Sequence, residues 1–135
     1  MIENQLGDND KVYGTFDLNE VMNEFPPDPN SQSLRRAEIL VKTDTLRVVL
    51  ITMLKGSRLH DHTAPGPITI QVLKGSMNVS VESASQVLTP GEMVALGPGV
   101  VHAVEAVEEG AFLLTIAHLS RIPDQGGNDD IPAMR

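Results

Sequence analysis

The chain's 135 residues are enough for one domain, and a 41% hydrophobic composition can fill one core. Eighteen acidic residues against ten basic ones give a net charge of −8. That charge repels phosphate backbones, and the four aromatics (Tyr13, Phe16, Phe25 and Phe112) are too few for a base-stacking platform, so a nucleic-acid partner is not expected. The lack of cysteine excludes disulfides, thiolate metal ligands and thiol nucleophiles.

Residues 1–10 are polar and aperiodic. No basic stretch followed by an apolar run marks a secretory leader, and no apolar run approaches the ~18 residues that cross a bilayer. The expectation is a cytoplasmic protein with no membrane partner. Asp17 is placed to cap a short helix through Leu18, Val21, Met22 and Phe25, whose spacing of three and four gives one apolar stripe. Pro26-Pro27-Asp28-Pro29-Asn30 stops it. Residues 1–34 therefore read as an N-terminal arm, free to pack on its own domain or on a neighbouring subunit.

From Arg35 the pattern changes to short β-type runs: Ala37–Val41, Leu46–Leu54, Ile68–Leu73, Met77–Val81, Gln86–Leu88, Met93–Leu96, His102–Val107 and Ala111–Leu119. Glycine and proline clusters separate them, at Lys55-Gly56-Ser57, Lys74-Gly75-Ser76, Thr89-Pro90-Gly91 and Gly97-Pro98-Gly99. Strands this short, split this often, predict an all-β antiparallel sandwich or barrel over residues 35–120. No helix long enough for a parallel crossover fits between them. Met53, Met77 and Met93 lie in strands and read as core filler. Residues 121–135 read as a flexible tail.

Four histidines carry the candidate chemistry. His60 and His62 form His-Asp-His, and on an unbroken strand residues i and i+2 share a face. Neutral imidazoles side by side can share a metal ion. His102 follows the rigid Gly97-Pro98-Gly99 turn, at the start of a later strand. His118, near the end of the last apolar run, reads as an edge or interface residue. Arg47 is mid-strand, where it could anchor an anion from inside, although a surface position is the simpler reading. Glu105 alternates away from His102 and reads as surface. Nothing resembles a nucleophile elbow, a P-loop or a dinucleotide fingerprint.

Gly56, the His60-Asp61-His62 pair, Gly75, and then Gly91, five residues, Gly97-Pro98-Gly99, two residues and His102 resemble the two motifs of the cupins, specifically the small single-domain cupins with a conserved barrel. The resemblance spans about residues 37–119. It implies a double-stranded β-helix, a jelly-roll-like antiparallel barrel, with His60, His62 and His102 as metal ligands inside it. Three departures are visible. Three residues separate Gly56 from His60 where five are usual, Gly97 stands at the usual proline position, and Ile68 stands where the family has a glutamate. Gln71 is the nearest polar residue; it reaches the site only if a bulge rotates it inward.

A three-histidine site implies a divalent transition metal, with Fe, Zn, Ni and Cu all suited to imidazole. Without a ligand carboxylate the metal keeps its full charge, which favours a small anionic or chelating organic molecule. Among cupins such a site resembles the iron-dependent oxygenases that act on thiols or β-diketones. The competing expectations are a non-catalytic small-ligand-binding or sensing barrel and a metal-free structural barrel. A homodimer is also expected, since small cupins usually pair.

Overall fold

The computed structural model describes residues 11–117. Among the described residues nine strands follow one helix. The helix α1 spans Leu18–Glu24, and the strands are β1 Arg35–Lys42, β2 Leu46–Met53, β3 Arg58–His62, β4 Ile68–Lys74, β5 Met77–Val81, β6 Ala84–Leu88, β7 Met93–Leu96, β8 His102–Ala106 and β9 Gly110–Ala117. All pairings are antiparallel, in a five-stranded sheet ordered β1-β2-β9-β4-β7 and a four-stranded sheet ordered β3-β8-β5-β6. Among the described residues no helix is long and apolar enough to cross a membrane.

Alternation explains which side chains meet. Val49, Ile51 and Met53 of β2, Ile68, Ile70 and Val72 of β4, and Phe112, Leu114 and Ile116 of β9 point to one face of the larger sheet. They pack against Leu59, Met77, Val79, Leu88, Val104 and Ala106 of the smaller sheet. The opposite face of the larger sheet has its own small cluster, in which Val21 of α1 packs on Leu50 and Ala111. This second contact explains why Leu50 and Thr52 are buried although they alternate with core residues. Asp17 caps α1 by accepting from the amides of Asn19 and Glu20, at 3.1 and 3.3 Å. The hydroxyl of Thr52 donates to the Phe25 carbonyl at 3.0 Å and ties the end of the helix to β2. Within the chain, α1 therefore packs on its own barrel.

The turn between β4 and β5 and the one between β8 and β9 press backbone on backbone. A Cβ at Gly75 would meet the Glu109 carbonyl oxygen, and one at Gly110 would meet the Lys74 carbonyl oxygen. Gly75 also has φ +76, a conformation that favours glycine. One expectation about the core is corrected. Met53 and Met77 are fully buried, but Met93 is 56% exposed, because its partner Gln71 lies on the outward face of β4.

Candidate functional site

Two loops meet at one end of the barrel. One joins β3 to β4, the other joins β7 to β8, and the Gly99 amide donates to the Ala64 carbonyl between them at 2.9 Å. The φ of +76 at Gly99 makes that turn possible. His62 ends β3 and His102 begins β8, and the two are paired directly across the strands. Their rings lie 4.4 Å apart between centroids, tilted by 57°. His102 is buried and His62 half-buried.

His60 does not join them. Leu59 pairs with Val104, yet His62 pairs with His102, so β3 carries one residue more than β8 over this stretch. That bulge reverses the alternation. Leu59 and His62 both face the interior, while His60 is exposed. The shared-face argument for His-Asp-His assumed an unbroken strand, and this strand is broken between the two imidazoles. Among the described residues no group of three or more His, Asp or Glu side chains is placed to hold a metal ion.

The bulge also accounts for the first departure from the cupin pattern. Counted from Gly56, five residues lead to His62 rather than to His60. On that register Ala64 takes the position of the second histidine and Ile68 that of the glutamate. Ala64 is half-buried against the core, and Ile68 is part of it. Gly56 to His62 was the available signal, and the more conspicuous His-Asp-His obscured it. Gln71 stays on the face of β4 opposite Ile70 and Val72; no bulge turns it inward. Glu105 sits on the outer side of β8, 3.4 Å from Arg58 in a half-exposed ion pair. His118 lies outside the described residues.

Both inward rings have a defined orientation. Nδ1 of His102 is 2.9 Å from the Val100 carbonyl, and Nδ1 of His62 is 3.1 Å from the His60 carbonyl. A carbonyl only accepts, so in the neutral ring each Nδ1 carries the proton and each Nε2 keeps its lone pair. Burial lowers the pKa of His102; the Val100 carbonyl raises it, His62 lowers it further and Asp61 raises it. The neutral form of His102 is therefore favoured, which leaves its Nε2 as an acceptor. Two imidazoles beside Ala64 and Ile68 are fewer than the three or four protein donors that usually retain a divalent metal, so the donor set fits a resident ion poorly.

No family profile and no curated protein matches the sequence. Solved structures do. A conserved protein of unknown function from Streptococcus pyogenes is 21% identical with a TM-score of 0.67, the match covering 83% of this chain and 93% of that one. A cupin superfamily protein from Desulfitobacterium hafniense is 13% identical with a TM-score of 0.67, covering 73% and 88%. A cupin 2 conserved barrel domain protein from Leptotrichia buccalis is 27% identical with a TM-score of 0.64, covering 76% of this chain and 47% of that one. Nine antiparallel strands among the described residues, in two facing sheets, with a Gly-Pro-Gly turn leading into His102, and these structural neighbours together show that this chain has the fold of a small cupin barrel.

Proposed function

We propose that this barrel is a non-catalytic binding module for a small organic ligand, held at the end of the barrel where His62 and His102 face each other. The supporting observation is the orientation of the two rings, each with Nδ1 committed to a carbonyl and Nε2 left to accept. Such a pair recognises O–H or N–H donors. The reading differs from the three-histidine oxygenase that the sequence resemblance implies, because His60 is exposed and, among the described residues, no group of three His, Asp or Glu side chains is placed to hold a metal ion.

The test has two parts. Protein purified without an affinity tag is analysed for metal, and the His60→Ala variant is analysed beside it. The expected result is no stoichiometric metal in either. A full equivalent of Fe, Zn, Ni or Cu that disappears with His60→Ala would restore the three-histidine centre. In parallel, the ring resonances of His62 and His102 are followed by NMR against a mixed fragment library. Hits that move both rings together, and that are lost in His102→Ala, support the binding module; a library that moves neither ring overturns it. The homodimer belongs to the same proposal and is tested by sedimentation, with a monomer counting against it.

A further inference from the structure

Among the described residues the two sheets end in four edge strands, β1 and β7 in the larger sheet and β3 and β6 in the smaller. An open edge presents backbone N–H and C=O groups that another strand can pair with, and charge, bulges or short length blunt it. β1 carries Arg35, Arg36, Glu38 and Lys42, with a register shift between Ile39 and Val41. β3 carries Arg58 and Asp61, with its bulge before His62. β7 is four residues long. β6, Ala84-Ser85-Gln86-Val87-Leu88, has no charge and no proline, and it pairs with β5 in unbroken register. Ala84, Ser85, Gln86 and Val87 are all exposed.

The β5–β6 hairpin decides which backbone groups stay open. Val81 pairs with Ala84 across the two-residue turn Glu82-Ser83, where Glu82 has the positive φ of +54 that such a turn asks for. The pair flanking a two-residue turn exchanges hydrogen bonds, and bonded and non-bonded pairs then alternate along the ladder. Ala84, Gln86 and Leu88 therefore bond to β5. The amides and carbonyls of Ser85 and Val87 point away from it, and neither residue has another backbone partner among the described residues. Gln86 pairs with the buried Val79, yet Gln86 is itself exposed, so the larger sheet does not close over β6 at this point.

We infer that β6 pairs antiparallel with β6 of a second copy, about a twofold axis through Gln86. This rests on the homodimer proposed above and specifies its interface. Setting Gln86 opposite its own copy places Ser85 against the partner's Val87 and Val87 against the partner's Ser85. Both pairs are then of the bonded kind, each exchanging amide-to-carbonyl bonds in both directions. The open groups of the edge thus complement themselves, and Val87, 49% exposed, gains a cross-strand neighbour. Each chain carries a net charge of −8, and an uncharged edge brings two such chains together where the local repulsion is smallest. The other edges are blunted, so the twofold contact closes at two copies instead of running on into a filament.

Sedimentation of the full chain, with amide exchange beside it, reads the outcome. The wild type should be a dimer. Val87→Pro removes an amide that β5 does not use, so the barrel is kept, which an unchanged contact between the His62 and His102 rings checks; the dimer's Kd should rise about tenfold or more. Gln86→Lys and Gln86→Glu each set like charges opposite one another and should weaken the dimer about fivefold, while an equimolar mixture of the two should pair better than either alone. The Ser85 and Val87 amides should exchange slowly in the concentrated wild type and quickly on dilution. A wild-type monomer removes both this edge and the homodimer. A dimer indifferent to Val87→Pro, or a mixture that pairs no better than its parts, overturns the edge while the homodimer stands. Protection of the two amides that survives dilution overturns it equally, since the chain itself then covers β6.

Discussion

At the scale of single residues, two glycines and one histidine carry the sharpest expectations. Gly110 lies against the Lys74 carbonyl, whereas Gly56 has φ +87 with open space around its missing side chain. Gly110→Ala must push backbone from backbone and should cost more than about 2 kcal/mol. Gly56→Ala bears only the left-handed penalty of about 1–2 kcal/mol. Urea unfolding of the two variants measures both, and equal losses would show that the turn yields freely. His102 makes a second expectation. Burial, the largest influence on it, holds its pKa below the ordinary value in the folded protein. As pH falls through about 6.5, the unfolded chain takes up this proton before the folded one does. Its contribution to stability is therefore intact above that pH. It is lost progressively down to the folded pKa and is constant below it. Unfolding midpoints between about pH 7 and pH 5 should drop more for the wild type than for His102→Gln; parallel curves would mean that His102 is charged as easily inside the barrel as outside.

At the scale of elements, α1 and β3 show what local patterning reveals and what it hides. The cap at Asp17 and the stripe of Leu18, Val21, Met22 and Phe25 were legible because an N-cap and a 3.6-residue period are local properties. Asp17→Ala should cost about 1 kcal/mol, read as a lower unfolding midpoint together with faster amide exchange along α1; unchanged exchange would show that Val21 and the bond from Thr52 hold the helix without its cap. The β-branched runs and their glycine turns were legible for the same reason, and the strands other than β3 lie on the expected runs, whereas β3, Arg58–His62, was not among those runs. The bulge in β3 was not. A strand's parity depends on its partner's register, and the extra residue in β3 exists only relative to β8. The error therefore falls on one histidine: His60 points out, and His62 remains on the inner face. Met93 shows the same limit, since nothing in the sequence says which face of β7 the core takes.

At the scale of the molecule, composition and topology explain each other. A chain with three phenylalanines and one tyrosine builds its core from Val, Ile, Leu and Met, and Phe112 is its one fully buried aromatic among the described residues. Two sheets whose inner faces are aliphatic from β2 across to β8 leave few places for polar atoms. The register brings two imidazoles, those of His62 and His102, together at one end. Among the described residues every Asp and Glu except Glu38 and Glu105 is exposed, so the acidity lies mainly on the surface.

The account depends above all on His62 and His102 meeting inside the barrel with His60 outside. Nuclear Overhauser contacts between histidine ring protons, with assignments secured by His60→Ala, test this most directly. The account predicts a strong contact between the rings of His62 and His102 and no contact from either ring to the ring of His60. Contacts that join all three rings, or that join His60 to His102 in place of His62, would contradict it.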